Sequence, residues 1–501
     1  MGTTSLPGVR LWLRRLLDDL RAGRSCLWLV PDAQIGHQGV GAEALMDELL
    51  HELGDFLLVA PGEAGADPGE APALAGPASV PALAPTVWGG ADALLDYDDG
   101  LAGFGSAPRA PAAAEDRVVP PPVRADADLL GRLAKELPAM PREAAGEPED
   151  RMEEILSRLT GGGPGTAAET RVIVVRAWHE AVSTVATDLL RRLSAAVKEA
   201  GLPPGARPRL LVLATYSALP PELPDQMARE NIGVHWWWGA VGRLDTATVV
   251  STARPSRPGP AAHRRLLEFV TQATIVEVCG PFLDVAAELA AGWDGVPESL
   301  PEALLRAVGA AGPGADTASG SASASGGVGY PVLGRSDRAG SSVQQPDMAI
   351  RPAWNAGQVD AWDGQLRYDP RRELGREHED TLRKRVWLAQ NRALLPLLDD
   401  AREDFTEVIR VRSRLPLAQL AERYRSRPVG GVVVPVAEST ARGLSGLELG
   451  AMWGAHVNAD VSLKRTEAER LRVFWDARNR LAHRTPLDAP RLDRLARALS
   501  H

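Results

Sequence analysis

Residues Ser25 to Val30, reading Ser-Cys-Leu-Trp-Leu-Val, form a short apolar run in which polar and apolar positions do not alternate. A strand with one wet face alternates, so an unbroken run of this length fits a strand covered on both faces of a parallel sheet. Three further stretches, Asp55 to Ala60, Arg171 to Arg176 and Arg209 to Thr215, read the same way. A helix is predicted ahead of the first strand, from Gly8 to Arg21, with Leu11, Leu13, Leu16, Leu17 and Leu20 as its apolar stripe. Others follow at Ala44 to Leu53, Asp128 to Leu137, Glu149 to Leu159 and Glu180 to Ala200. Strands alternating with helices predict an α/β fold built on a parallel sheet.

The first strand leads into Gly36-His37-Gln38-Gly39-Val40-Gly41-Ala42-Glu43 and then a helix. Strand, glycine loop and helix in that order suit phosphate, because loop amides and the helix N-terminus converge on an anion. Gly36 and Gly41 keep the spacing of a phosphate-binding loop, with Gly39 between them. Ala42 stands where the lysine belongs and Glu43 where the magnesium-binding hydroxyl belongs. The cation is therefore missing, and a carboxylate there opposes a triphosphate by Coulomb repulsion. An ordinary glycine-rich turn fits the same residues. At the ends of the later strands only Glu180 offers a carboxylate, while Thr215 and Ser217 offer hydroxyls. The aromatic run Trp236-Trp237-Trp238 reads either as a final strand packed into the core or as a partner surface. Taken together, residues 1–253 resemble a degenerate member of the AAA and STAND group of P-loop NTPases. The resemblance implies a retained sheet, lost hydrolytic residues and no bound cofactor.

Composition divides the rest. Residues 61–128 are rich in Ala, Pro, Gly and Asp without apolar periodicity, which predicts a disordered insertion. Residues 254–311 are helical in pattern, with Leu266, Phe269, Val270, Ile275, Phe282, Leu283 and Leu289 expected in a core, and are similar to the helical lid of AAA-type proteins. Residues 312–350, rich in Gly, Ser and Ala, are expected to be a flexible linker. A helical domain is then expected over 351–501, with Trp354, Trp362 and Trp387 as its anchors and helices at about Glu377 to Leu397, Arg402 to Arg410, Pro416 to Ser426, Ser445 to Asn458 and Arg465 to His483.

The chain carries a net charge of -9, unevenly spread. Residues 351–501 hold 27 Lys and Arg against 21 Asp and Glu, so this part is basic and the first 350 residues are acidic. A basic domain is compatible with nucleic acid, and a solvated arginine face explains the balance equally. The two cysteines, Cys26 and Cys279, lie in apolar stretches, which argues against a disulfide framework and suits a reducing cytoplasm, and two thiols are too few for a zinc site built of cysteines. No run reaches the ~18 apolar residues of a membrane span, so a cytoplasmic protein without membrane contact is expected.

The chemistry is expected at Arg478-Asn479-Arg480-Leu481-Ala482-His483. On a helix Asn479 and His483 project together, with Arg478 beside them. Arg478 falls on the same stripe as Leu471 and Trp475, a costly place for a cation unless an anion or partner meets it. One account pairs it with a carboxylate such as Glu448, leaving His483 and Arg484 to favour the helix C-terminus. The other is catalytic: Arg478 holds a phosphate, Asn479 orients, and His483 moves a proton, a task suited to an imidazole whose ordinary pKa is about 6.5.

The pattern Arg-Asn-x-x-x-His on a late helix resembles the HEPN superfamily, over roughly the last 120 residues. The resemblance implies a metal-independent endoribonuclease acting on RNA, with its site formed across a homodimer of the C-terminal domain. Joined to a STAND-like module, it implies a bacterial conflict or antiphage defence protein with other defence proteins as partners. The alternative is a non-catalytic signalling or interaction scaffold.

Overall fold

The computed structural model describes residues 3–34, 42–59, 128–137, 148–161, 172–179, 183–254, 261–311, 345–374, 379–424, 444 and 446–500. The expected insertion and linker therefore fall almost wholly outside the described residues.

Five strands form one parallel sheet: β1 (Cys26–Val30), β2 (Phe56–Leu58), β3 (Val172–Arg176), β4 (Arg209–Thr215) and β5 (Gly233–Trp236), in the order β2-β3-β4-β1-β5. Every residue of β1 is buried, as its unbroken apolar run requires. It pairs with β4 through Cys26↔Leu211 to Val30↔Thr215 and with β5 through Cys26↔Gly233 to Leu29↔Trp236.

Helix α1 (Pro7–Arg21) lies on β1 and β5. Its buried side is Val9, Trp12, Leu13, Leu16, Leu17 and Leu20, a spacing of three and four residues. Leu11, expected in that stripe, faces outward because Trp12 takes the inner position. The Trp12 ring sits 5.1 Å from both Trp28 and Trp237, and its Nε1 donates to the Trp236 carbonyl at 2.8 Å. Helix α2 (Ala42–Leu53) follows the glycine loop, and α3 (Leu129–Glu136), α4 (Pro148–Thr160) and α5 (Ser183–Glu199) precede β4. Trp236, Trp237 and Trp238 are all core residues, which settles the choice left open by the sequence.

After β4 come α6 (Leu223–Arg229), then α7 (Arg243–Ala253), α8 (Ala262–Cys279), α9 (Leu283–Gly292) and α10 (Leu300–Ala310). Phe269, expected in the core, is more than half exposed. Residues beyond 344 do not start with the bundle. A short helix, α11 (Arg351–Asn355), and an antiparallel hairpin, β6 (Val359–Trp362) and β7 (Gln365–Tyr368), pack back onto the first half of the chain. Trp354 is buried in the sheet core, donating Nε1 to the Trp237 carbonyl at 3.0 Å, and Trp362 is buried in the separate core of α7 to α10, the helical group termed the lid. Apolar spacing marks a tryptophan as an anchor but not which core it enters, so the sequence alone places both with the C-terminal helices.

The bundle consists of α12 (Glu379–Arg412), α13 (Leu417–Tyr424), α14 (Leu449–Val457), α15 (Arg465–Ala482) and α16 (Ala489–Leu499). Two helices expected across 377–410 are one helix of 34 residues that runs through Pro396. Proline costs that helix a backbone hydrogen bond, but Leu394, Leu398, Ala401 and Phe405 are buried in the bundle along both flanks of the proline and favour its continuation. Helix α8 belongs to two cores at once: Val270 packs with the bundle, whereas Ile275, Val276, Val278 and Cys279 pack in the lid.

At the junction Glu277 of α8 is fully buried and accepts from three arginines: Arg243 of α7 at 2.7 Å, Arg392 of α12 at 2.7 Å and Arg367 of β7. The Arg243 and Arg367 guanidinium groups also lie over the Trp362 ring, at 4.3 and 4.6 Å. A carboxylate this deep is stable only when paired, and here it joins lid, hairpin and bundle. No helix among the described residues is long and apolar enough to cross a membrane.

Candidate functional site

Helix α15 buries Leu471, Phe474, Ala477 and Leu481, a line that fixes how the helix is rotated on its neighbours. Trp475 is half-buried and stacked on Trp453 of α14, with ring centroids 6.0 Å apart and planes 15° from parallel. Arg478 follows Ala477 by about 100° of turn, which carries it off the buried line onto the flank, where its side chain is 44% exposed. The expected buried cation is thus a surface cation. Its Nη2 lies 3.3 Å from Oε2 of Glu448, the residue before the first turn of α14.

The helix ends at Ala482, so His483 is the residue just past it, exposed, with its backbone N–H donating to the Asn479 carbonyl at 3.0 Å. Arg484 adopts a left-handed conformation (φ 55°) that turns the chain, and its guanidinium lies 5.9 Å over the Trp387 ring. Trp387 of α12 in turn donates Nε1 to the Leu481 carbonyl at 2.6 Å. The end of α15 is therefore clamped to α12 while Arg478 and His483 reach solvent. Of the neighbouring cations, Arg480 and Arg491 both lie near Asp476, at 3.6 and 3.4 Å. The expected site residues lie within one turn and a half of each other. In chemical terms the end of α15 carries a half-exposed cation able to meet a phosphate, a partly buried amide and an exposed imidazole.

At the carboxyl edge of the sheet, where open parallel sheets bind ligands, Gly36, Gly39 and Gly41 lie outside the described residues. Glu43 is described. It pairs with Arg176, the last residue of β3, at 3.4 Å and accepts from Trp178 Nε1 at 3.2 Å. A cation thus stands at the strand end where a carboxylate was sought, and it meets a carboxylate where a hydroxyl was sought. Glu180 is also outside the described residues. Ser217 donates to Asp32 Oδ1 at 2.8 Å, and Asn355 of α11 donates to Asp32 Oδ2 at 2.7 Å. Arg351 on the same short helix makes a two-pronged pair with Asp225 at 2.8 and 2.9 Å. Helix α11 consequently sits over this edge. A cavity of about 180 Å³ remains beside it, lined by Pro31, Trp237, Phe282, Val359 and Asp360 among others. Asp360 accepts from the Gly239 and Ala361 amides, and burial pushes its carboxyl up to about 7 against the pull of those two hydrogen bonds.

Sequence reasoning missed two constellations, the Glu277 junction and a set formed by Asp19, Cys26 and His235. The members of the second are up to 216 positions apart, and no local spacing announces them. The one available signal was His235 itself, a polar side chain within an otherwise apolar strand. No protein-family model, no curated protein and no solved structure matches this chain.

Proposed function

We propose that this chain is a bacterial conflict or antiphage defence protein whose helical bundle cuts RNA without a metal ion, while the sheet with its altered phosphate loop serves as a non-hydrolysing scaffold. What supports the reading most is that Arg478, Asn479 and His483 gather at the clamped end of α15, with Arg478 half exposed and His483 exposed. His483 accepts the proton of an RNA 2'-hydroxyl or returns one to the leaving 5'-oxygen, and Arg478 balances the charge that builds on the phosphate. Asn479 orients the imidazole or the phosphate. Glu448 occupies Arg478 at rest, so an entering phosphate exchanges one anionic partner for another. A second copy of the chain, facing the first through the bundle, supplies the other half of the site.

The test uses the full chain, because α8 contributes Val270 to the bundle core and a fragment beginning at 351 lacks it. Cleavage of labelled RNA in excess chelator is expected, falling about 100-fold or more in both Arg478→Ala and His483→Ala. Cleavage that survives both substitutions removes the mechanism. A dimeric chain with no cleavage favours the second reading, a scaffold, for which the Arg478–Glu448 pair is the supporting observation: it gives the cation a structural partner.

A further inference from the structure

We propose that Asp19, Cys26 and His235 form a zinc site pinning α1 to β1 and β5 beneath it. Asp19 Oδ2, Cys26 Sγ and His235 Nε2 all lie within 4.8 Å of one another. They come from three elements, α1, β1 and β5, so their meeting is a product of the fold rather than of one loop. Cys26 and Gly233 are register partners, and His235 lies two residues further along β5, on the same face as Gly233.

Gly233 is what leaves them room. A Cβ at that position would stand 2.9 Å from Asp19 Oδ2, 2.9 Å from Cys26 Sγ and 3.2 Å from His235 Nε2. Three donors thus converge around the space that a side chain would fill. Tetrahedral zinc, ligated by sulfur at about 2.3 Å and by nitrogen and oxygen at about 2.0–2.2 Å, sets its donors roughly 3.3–3.7 Å apart, so the His235–Asp19 pair at 3.0 Å opens slightly while wider separations, none above 4.8 Å, close by about an ångström.

The donor chemistry selects among metals. One thiolate, one imidazole and one carboxylate suit zinc, while calcium and magnesium call for oxygen alone. The Asp19 side chain is 23% exposed, so the set opens to solvent at its carboxylate while Cys26 and His235 are buried. Arg24 Nη1 lies 2.9 Å from the other oxygen of Asp19, the kind of outer partner that fixes a ligating carboxylate. Burial pushes the Cys26 thiol above its usual range, so without metal it is protonated and inert. Coordination releases the thiol proton to solvent, and Nε2 of His235 gives up any proton it shares with Asp19 to Nδ1 or to solvent. Thiolate and carboxylate then balance the two positive charges of the ion.

The full chain is stripped with chelator and titrated with zinc against a chromophoric competitor, and separately with cobalt. One equivalent of zinc and a cobalt spectrum carrying a thiolate charge-transfer band are expected. Cys26→Ser should abolish the band, and Asp19→Asn, at the partly exposed ligand, should weaken zinc at least about 10-fold while circular dichroism is unchanged. A folded chain that takes up no zinc overturns the site, as does a band that persists in Cys26→Ser. If Cys26→Ser fails to fold, undiminished zinc affinity in Asp19→Asn is overturning by itself.

Discussion

Arg478 Nη2 lies 3.3 Å from Glu448 Oε2, so the cation proposed to hold phosphate rests against a carboxylate from the neighbouring helix. Both side chains are about half exposed, and such a pair is worth about 0.2–1 kcal/mol. Glu448→Gln should therefore leave the unfolding midpoint almost unchanged and raise RNA cleavage at limiting substrate by at most about fivefold. Steady-state cleavage beside thermal unfolding measures both. A loss of cleavage would show that Glu448 positions Arg478 rather than competing for it.

The Glu277 junction should behave in the opposite way. Replacing a fully buried carboxylate that three arginines share leaves uncompensated charge, and Glu277→Gln is expected to cost about 3–5 kcal/mol in urea unfolding. Arg392→Ala, at a side chain 49% exposed, should cost under about 1 kcal/mol. Equal losses in the two variants would contradict the assignment of the burden to the carboxylate.

Asp360 gives a pH dependence whose sign follows from its environment. Its carboxyl titrates at about 7 in the fold, above the ordinary 3.8, so the folded chain holds a proton that the unfolded chain releases. That contribution is complete below pH ~3.8 and is lost as pH rises through 7. Asp360→Asn, which keeps an oxygen for the Gly239 and Ala361 amides, should remove this slope and gain on the order of 1 kcal/mol over the parent at pH 8. Chemical unfolding of both proteins between pH 5 and 8 provides the comparison, and parallel profiles would refute it.

A protease site placed within residues 312–344 tests how the two parts adhere. Trp354 and Arg351 are buried on the sheet side, and α12 packs along α8. Nicked chain should therefore elute as one species in size exclusion and separate only in denaturant. Two independent folded pieces after cutting would mean that these contacts are weak.

The sheet was legible because a strand covered on both faces has a signature in the strand itself: β1, β3 and β4 each lie within a residue or so of the apolar runs that announced them. The hairpin at 359–368 was not, since Val359 to Trp362 and Gln365 to Tyr368 are only four residues each and carry charges at Asp360 and Arg367. Arg478, Asn479 and His483 could be placed on one helix end from spacing alone. Whether Arg478 was buried could not, because that depends on the rotation of α15, set by Ala477 rather than by the larger Trp475. Glu277 looked like any helix-surface carboxylate until its partners arrived from 34, 90 and 115 positions away.

Helix α8 has one further consequence. Its C-terminal half is embedded in the lid and its middle in the bundle, along 18 residues with no proline or glycine at which to bend. A tilt imposed on the lid is therefore conveyed to α12 and α16 as a lever conveys it, by rotation of one stiff rod.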